Sequence, residues 1–459
     1  MTPQFDIFGQ QVSLAKTGDL EAWNNMQLGF LAHAASTPQH LTACIESDPD
    51  FALPQICKGF FCLLLGRREM TQAALDAQQD ASIALKNRPV TDREQLFFDA
   101  LQHYNAGQPK AAADILQRRV GQDPSDALAV KLVQAIRFVL GDAVSMRASM
   151  ESVMPHVDSS HAAYGYMLGC HAFTLEETGE YGAAERTGRL GLRFAKDDAW
   201  GLHAVAHVFD MTNNIEQGLD WLENRTAAWA HCNNFRYHVW WHLALMYLDR
   251  GDIDRVVALY DSDIRADKTD DYRDISNAAS LLSRLELDGH NVGHRWEELA
   301  ELSDARTGDG CLPFADLHYM LSLVGGKRHD AASRLIARMR LDAKAEASEM
   351  DAIFKHPGLS AAEGLEAFGE GQYTAAFRHL ASARDAMQTI GGSHAQRDVF
   401  ERLTIEAALR GGYFGAAQQF LEQRTQRRDG HIDRFAQSRL AELEVQRNIA
   451  NGAQLMPAE

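Results

Sequence analysis

Glycine or asparagine residues recur along the chain at a nearly fixed spacing, and this periodicity restricts the fold more than any other feature. Each of these residues separates two stretches with helical patterning, where a left-handed helix C-cap favours glycine or asparagine. A fixed period of this length is typical of arrays of helical hairpins. The series, with spacings of 34 or 38 residues, is Gly107, Gly141, Gly179, Asn213, Gly251 and Gly289, and Gly326, Gly371 and Gly411 continue it less regularly.

A small residue follows most of these turns five positions later, and this supports the hairpin interpretation. Such a residue lets the two antiparallel helices of a hairpin approach closely. Strong helix formers dominate the sequence, and the alternating pattern of β-strands is almost absent. The sequence therefore predicts an all-α protein of about ten helical hairpins. The small residues are Ala112, Ala184, Gly218, Ala331, Ala376 and Ala416.

The clearest repeat unit is WWHLALMYLDRGDIDRVVALY, which contains the turn residue Gly251. Within it, Trp240, Leu243, Ala244 and Tyr247 match the pattern W-x2-L-[GA]-x2-Y. The unit resembles the tetratricopeptide repeat, a helix–turn–helix of about 34 residues. This resemblance implies a right-handed α-solenoid whose concave groove is lined mainly by the first helix of each hairpin.

Four longer blocks of sequence are specific enough to compare with a single family. The blocks are DAWGLHAVAHVFDM (198–211), HVWWHLALMYLDRGD (238–252), FADLHYML (314–321) and GGSHAQRDVF (391–400). Together they resemble the tetratricopeptide repeat protein 38 family. The chain departs from the family at Asp210, where the family tends to have glutamate, and at Val239, where it tends to have asparagine. The resemblance implies an all-α repeat fold and brings no established reaction with it.

No change in composition divides the chain into separate domains. We therefore expect one superhelical domain over residues 1–445 and a polar C-terminal tail over 446–459. One interval between turns is longer than the others, and segment 339–358 is the expected insertion. The ends of a repeat array need polar caps or partners, so a homo-oligomer is left open, and the first hairpin is apolar enough to dock a partner.

Charge and cysteine content restrict the partners and the compartment. The chain has 45 lysine and arginine residues and 63 aspartate and glutamate residues, which gives a formal net charge of −18. Nucleic-acid surfaces need clustered basic residues and anionic membranes attract them, so this balance predicts neither kind of partner. The N-terminus lacks a signal-peptide pattern, and the longest apolar run is too short to span a bilayer. The 6 scattered cysteines, without a CxxC motif, favour a reducing compartment, and we expect a cytoplasmic protein.

Two pairs of histidines lie close together in HAVAH (203–207) and HVWWH (238–242). Residues four apart share one face of a helix. Counted from the turn residues, both pairs fall on the groove face of consecutive first helices, and two glutamates fall on the same face of the preceding one. The candidate catalytic residues are Glu176, Glu177, His203, His207, His238 and His242, with the glutamates as proton acceptors.

Other residues at groove-facing positions or in the later blocks are candidate ligand-binding groups. Arg397 is suited to hold a carboxylate or phosphate in bidentate fashion. Whether the later blocks reach the histidine pairs depends on how far the solenoid curls, which the sequence does not determine. These candidates are Asp210, Trp241, Asp316, His318, His394, Gln396, Arg397 and Asp398.

Three interpretations of the histidine pairs stay open. In the first, His203, His207, His238 and His242 bind a divalent transition metal such as zinc, although neither pair contains the glutamate of the HEXXH motif. In the second, the groove binds a small polar ligand without metal. In the third, the histidines are hydrogen-bonded packing groups, or the groove is an ordinary adaptor groove for a peptide. The protein is then a binding protein or, alternatively, an enzyme of hydrolase or lyase type that uses metal-assisted or His/Glu acid–base catalysis on a small polar metabolite.

Two local patterns have simpler interpretations. Ser393, in GGSHAQ, is expected to cap a helix rather than to act as a nucleophile. The basic run QRTQRRDG (423–430) is expected to be a solvated helix end.

Overall fold

The computed structural model describes residues 3–15, 17–345 and 347–454, and these residues are mostly helical. The first helices are α1 Leu20–Leu31, α2 Thr37–Ser47, α3 Ala52–Leu64, α4 Arg68–Asn87, α5 Asp92–Asn105, α6 Pro109–Gln122, α7 Ala127–Val139, α8 Ala143–Val153, α9 Tyr164–Glu177, α10 Tyr181–Phe194, α11 Ala199–Met211 and α12 Ile215–Glu223. The later helices are α13 Phe235–Arg250, α14 Ile253–Leu259, α15 Tyr272–Leu287, α16 Arg295–Ala305, α17 Pro313–Gly325, α18 His329–Asp342, α19 Glu349–Ile353, α20 Leu359–Gly369, α21 Tyr373–Arg384, α22 His394–Arg410, α23 Phe414–Arg427 and α24 Arg434–Gln454.

Successive helices pack as hairpins, which confirms the predicted α-solenoid. Within the described ranges, α1 to α18 and α20 to α23 form eleven such pairs, close to the ten predicted, and α24 follows the last pair. Alanine, leucine and aromatic side chains fill the space between the helices. Their packing forms a core that runs along the array rather than a single central one.

The predicted turn residues adopt the left-handed backbone conformation in most hairpins. Two turns differ, because the left-handed residue is the next one along the chain, Lys327 or Gly412. Gly326 is needed for packing instead, since an added Cβ would overlap the side chain of Ala300. After the turn at Gly412 the buried small residue is correspondingly Ala417, and the prediction of Ala416 is wrong by one position. The turns predicted correctly, with φ between +55° and +93°, are Gly107, Gly141, Gly179, Asn213, Gly251, Gly289 and Gly371.

One turn of the superhelix stacks on the next, with the tips of earlier hairpins against the segments that connect later ones. Polar contacts join residues that lie between 185 and 247 positions apart in the sequence. This stacking brings the concave surfaces of early and late hairpins together in the interior. The joined pairs are Arg67 with Asp270, Gly107 with Ser348, Gly141 with Gln388, Tyr181 with Arg427, and Asp249 with Arg434.

A short antiparallel pair of strands precedes α1, which the all-α prediction did not include. The strands are β1 (Gln4–Phe5) and β2 (Gln11–Val12). Asp6 fixes the turn between them, because its Oδ1 accepts from the backbone N–H groups of Phe8 at 3.0 Å and Gln10 at 2.9 Å. Two residues per strand are too few to leave an alternating pattern in the sequence.

The predicted segment boundaries agree only partly with the helices. Helix α24 continues through position 446, where the polar tail was predicted to begin, and residues 455–459 lie outside the described ranges. The predicted insertion at 339–358 contains the end of α18, the short helix α19 and a π-helical turn at Phe354–Gly358. The single-domain assignment of residues 1–445 stays a prediction.

Candidate functional site

Four histidines from two neighbouring first helices meet in the interior of the solenoid. His203 and His207 lie on α11, and His238 and His242 lie on α13. These residues range from fully buried to 9% exposed. One ring nitrogen from each lies within 4.8 Å of one from every other. We call this group the histidine tetrad.

Oxygen acceptors hold one ring nitrogen of two tetrad members. His203 Nδ1 lies 3.1 Å from the Trp200 carbonyl oxygen, and His238 Nδ1 lies 2.9 Å from Asn277 Oδ1. Since these oxygens only accept, we assign the proton to Nδ1, which leaves Nε2 with a lone pair in each neutral ring. His242 Nε2 lies 3.1 Å from His238 Nε2 and is therefore the donor in that contact.

Burial keeps tetrad members uncharged. Desolvation lowers the pKa of His238 to about 4, and it lowers the pKa of His203 and of His242 well below the ordinary value. Repulsion from neighbouring imidazoles acts in the same direction. These three rings are therefore neutral at pH 7, the form in which an imidazole nitrogen accepts a proton or binds a metal.

An ion pair adjoins the tetrad at the end of α9 and the start of α22. His394 Nε2 donates to Glu176 Oε1 at 2.5 Å, and the His394 backbone N–H donates to Glu177 Oε1 at 2.8 Å. Glu176 Oε2 also lies 3.3 Å from His207 Nδ1, so one carboxylate joins the ion pair to the tetrad. Burial opposes charge on both partners, but their attraction outweighs it. The pKa of His394 is raised to about 9 and that of Glu176 is lowered to about 2.

A cavity of about 370 Å³, which we call the chamber, lies on one side of the tetrad. Its wall is largely apolar, with several aromatic side chains and a few cationic and amide groups. Such a lining is typical of sites for small molecules. Residues of the wall include Phe30, His33, Phe61, Lys131, Gln134, Phe138, Trp200, His203, Asn234, Phe235, His238, Arg273, Asn277, Phe314, Ser393 and Gln396.

A second cavity of about 300 Å³, which we call the arginine cavity, lies on the side of His394. Arginine and carboxylate side chains alternate around it, and many are paired with one another. The ion pair and the tetrad therefore stand between two cavities of different character. The charged lining includes Asp210, Asp249, Arg284, Arg397, Asp398, Glu401, Arg402, Arg424, Arg427, Arg428 and Asp433.

Several predicted ligand-binding residues reach these two cavities. Gln396 lines the chamber, and Asp210, Arg397 and Asp398 line the arginine cavity. Arg397 also lies 3.4 Å from Glu177 Oε2. The block 391–400 therefore meets the histidine pairs, a contact that the sequence left open.

Three other predicted ligand-binding residues lie among packing groups. Trp241 is fully buried, stacks on His238 with ring centroids 5.2 Å apart, and lines neither cavity. Asp316 pairs with Arg338 at 2.6 Å. His318 is fully buried and donates through Nδ1 to a main-chain carbonyl at 2.7 Å. The position of these residues in the repeat correctly indicated that they face the interior. It could not show whether an interior side chain lines a cavity or packs against another helix.

Sequence reasoning missed two groups of cations at the site. Lys131 and Arg273 reach the chamber from α7 and α15, far from the histidine motifs in sequence. Arg424 and Arg428 belong to the basic run expected to be solvated, but they are only 2% and 5% exposed. That expectation is wrong because Arg428 bonds Asp210 of an earlier superhelical turn at 3.0 Å. For Arg424 and Arg428, the sequence signal that could have indicated a place at the site was the basic run at 423–430.

Ser393 caps α22, the helix that carries His394. Its Oγ accepts from the Gln396 backbone N–H at 3.2 Å, and Gln396 Oε1 accepts from the Ser393 backbone N–H at 2.9 Å. We expect Ser393→Ala to lower the free energy of unfolding by about 1 kcal/mol, measured by urea denaturation. Ser36, the N-cap of α2, makes no such side-chain bond, so Ser36→Ala should cost less than about 0.5 kcal/mol. Equal losses in the two variants would contradict the capping role.

Comparison with known proteins shows no family for this chain. No protein-family model matches the chain. A solved structure of the human IFIT1 dimer with PPP-AAAA matches 90% of this chain and 96% of its own, at 10% identity and a TM-score of 0.43. A human IFIT1 dimer with m7Gppp-AAAA matches the same shares at 12% identity and a TM-score of 0.36. The hairpins and their turns define the fold of this chain as a tetratricopeptide-type α-solenoid, and similarity at this level carries no ligand over to it.

The comparisons also correct one prediction about partners. Both IFIT1 dimers hold a nucleic-acid ligand, which contradicts the prediction that excluded a nucleic-acid partner from net charge. That prediction is wrong as an exclusion, because net charge averages the whole surface and says little about local arginine clusters.

As for membranes, none of the described helices combines the length and the apolar character needed to cross one.

Proposed function

We propose that the protein binds a small organic anion with an apolar body in the chamber. The observation that carries this proposal is Lys131, a cation on the chamber wall that is only 6% exposed. Its Nζ lies 3.1 Å from His33 Nε2 and 5.1 Å from the centre of the Trp200 ring. Within the part of the chain that the structure describes, Lys131 forms no salt bridge. A ligand carboxylate or phosphate would supply the missing anion.

The rest of the wall supports a ligand of mixed character. Gln134 Oε1 and Asn234 Nδ2 line the chamber and are buried without a hydrogen-bond partner. Buried polar atoms without partners are costly, so they favour a ligand with a donor and an acceptor besides its anionic group. The aromatic part of the wall, which includes Phe138, Trp200 and Phe235, suits an apolar body.

A second candidate function is an enzyme acting on that ligand. It is favoured by the row of groups from His394 through Glu176 to His207, which adjoins the chamber wall at His203. A neutral His203 on the wall would accept a proton from the ligand or from water, and Glu176 would orient His207. Turnover that disappears in His203→Ala, while ligand binding persists, would favour this function over binding alone.

The test of the proposed function compares binding in the wild type and in Lys131→Met. Octanoate, benzoate and phenyl phosphate serve as probes in calorimetry and thermal-shift assays, and native mass spectrometry detects any anion that copurifies. We expect the variant to bind the best probe about 10- to 100-fold more weakly, because hydrogen bonds to charged groups contribute about 1.5–3 kcal/mol.

The control for Lys131→Met is Lys86→Met, which removes an exposed lysine of α4. It changes the net charge equally and should bind the probes like the wild type. Without ligand, Lys131→Met should be at least as stable as the wild type, because it removes a buried charge that forms no salt bridge in the described residues. Unchanged probe affinity in Lys131→Met, or no binding of any anion by the wild type, would contradict the proposal.

We also propose that the chain is a member of the tetratricopeptide repeat protein 38 family and acts in the cytoplasm. Each of the four blocks that carry the resemblance contributes a side chain to the chamber wall or to the ion pair, with examples in His203, His238, Phe314 and His394. The cysteines are all unpaired, which supports a reducing compartment. A homo-oligomer remains a prediction, which light scattering of the purified chain would test.

A further inference from the structure

We propose that the histidine tetrad binds one transition-metal ion of the zinc class. The four donors come from two helices that are packed side by side, His203 and His207 from α11 and His238 and His242 from α13. Imidazole nitrogen without carboxylate suits zinc, copper, nickel or cobalt better than magnesium or calcium. The ion would border the chamber, since His203 and His238 form part of its wall.

The spacing of the donors is close to what one ion requires. Imidazole nitrogens lie about 2.0–2.1 Å from zinc, which places tetrahedral ligands about 3.3–3.5 Å from one another. The Nε2 atoms of His238 and His242 are 3.1 Å apart, and one nitrogen from each of the four residues falls within 4.8 Å of the others. Small rotations of the rings therefore bring all four to bonding distance.

Buried ring nitrogens without hydrogen-bond partners also indicate that the tetrad binds a metal ion. The Nε2 of His207 and the Nδ1 of His242 are buried without a hydrogen-bond partner. His207 is fully buried and His242 is 1% exposed, so solvent does not satisfy these atoms. A packing role would favour rings whose nitrogens are paired, whereas a metal site needs lone pairs aimed at a common point.

Oxygen atoms around the tetrad orient three of its rings in the way that is usual for metal-bound histidines. Metal-bound histidines commonly donate their other ring N–H to a carboxylate or a carbonyl group. Here His203 Nδ1 faces a main-chain carbonyl at 3.1 Å, and His238 Nδ1 faces Asn277 Oδ1 at 2.9 Å. His207 Nδ1 faces Glu176 Oε2 at 3.3 Å. In all three rings Nε2 is left for the ion, and Glu176 and Asn277 are positioning residues.

A competing group of donors is formed by Glu176, Glu177, His207 and His394. Its members are already paired, since His394 Nε2 and Glu176 Oε1 are 2.5 Å apart. Arg397 also lies 3.4 Å from Glu177 Oε2. An ion there would have to displace these contacts, so the tetrad is the favoured position.

The experiment measures metal binding by the full-length chain after removal of any affinity tag. The protein is stripped with a chelator, then titrated with Zn²⁺ in calorimetry and with Co²⁺ in visible spectroscopy, and metal content is measured by mass spectrometry. We expect one equivalent per chain and the absorption of tetrahedral Co²⁺. His207→Gln and His242→Gln should each weaken binding by at least about 100-fold, because each removes a ligand.

The matched control is His318→Gln, which removes a fully buried histidine of α17 outside the tetrad. It should keep one equivalent of metal. If the ligand variants do not fold, Glu176→Gln and Asn277→Leu decide, because they keep all four histidines and should weaken Zn²⁺ binding about 10- to 100-fold.

Absence of stoichiometric metal in the folded wild type after loading would overturn the proposal. Equal loss of metal in His318→Gln and His207→Gln, or unchanged affinity in both positioning variants, would do the same. No organic anion is added in these titrations, and Lys131→Met should bind Zn²⁺ like the wild type. Failure of the metal site is therefore distinguishable from failure of the proposed anion site.

Discussion

Replacement of Arg424 by methionine is expected to lower the free energy of unfolding by about 3 kcal/mol. Arg424 is 2% exposed and donates to Asp398 Oδ1 and to Asp433 Oδ2, each at 2.6 Å. Loss of one member of a buried ion network costs about 3–5 kcal/mol, because it leaves charges without their partner. We expect the lower end of this range, since Arg402 still pairs with Asp398 at 2.7 Å. Urea denaturation followed by circular dichroism measures the change.

The matched control is Arg427→Met on the same helix. The Arg427 side chain is 54% exposed and contacts Glu401 at 2.8 Å, so its loss should cost less than about 1 kcal/mol. Equal destabilisation by the two substitutions would show that the buried network contributes no more than a surface pair.

The change in stability on acidification also tests the role of Arg424. Burial opposes the charge of Asp398, but the nearby guanidinium groups of Arg424 and Arg402 outweigh it and hold the pKa of Asp398 well below its usual range. The stabilisation from this carboxylate is complete above its unfolded pKa of about 3.9 and is lost as pH falls through the lower, folded value. Arg424→Met should therefore lose less stability than the wild type on acidification below about pH 4.

Replacement of Gly141 by alanine is expected to lower the free energy of unfolding by about 2–5 kcal/mol. Alanine in the left-handed conformation accounts for about 1–2 kcal/mol of this, because Gly141 has a φ of +67°. The remainder, about 1–3 kcal/mol, comes from overpacking between superhelical turns. The added Cβ would overlap the Gln388 carbonyl oxygen, and Gln388 Nε2 donates to the Gly141 carbonyl at 3.0 Å. Urea and thermal unfolding both measure the loss.

Gly371→Ala separates the two contributions. Gly371 has a similar φ of +73°, and no atom lies within 4 Å of the Cβ that it would gain. It should therefore show only the conformational cost of about 1–2 kcal/mol. If Gly141→Ala proved no more harmful than this control, the tip contact between superhelical turns would not be tightly packed in solution.

The features that could be predicted from the sequence are those determined within one hairpin or by the repeat length. The turn residues, and the placement of His203, His207, His238 and His242 on neighbouring first helices, follow from helical periodicity and a fixed repeat length. The predictions at Gly326 and Gly411 each miss by one residue, because the left-handed residue is the next one along the chain, Lys327 or Gly412. Gly326 instead packs closely against Ala300 of the neighbouring helix, and at Gly411 a second glycine follows directly.

Contacts between distant hairpins could not be predicted in the same way. Whether His394 meets Glu176 depends on small rotations accumulated over several hairpins, and no local pattern encodes their sum. The same accumulation brings Lys131 to the chamber and buries Arg428 against Asp210. The charge pattern of the basic run at 423–430 was visible, but its partner lies on another superhelical turn.

The contacts between superhelical turns have a consequence for how the chain folds and unfolds. In an open repeat array each unit contacts only its neighbours, so the ends can fray while the middle persists. Here residues 185 to 247 positions apart are joined, so an end hairpin cannot detach without exposing one near the middle. Such long-range contacts make folding slow, because large loops must close before their contacts form. They also couple distant units, which makes the molecule lose its structure as a single cooperative body rather than hairpin by hairpin.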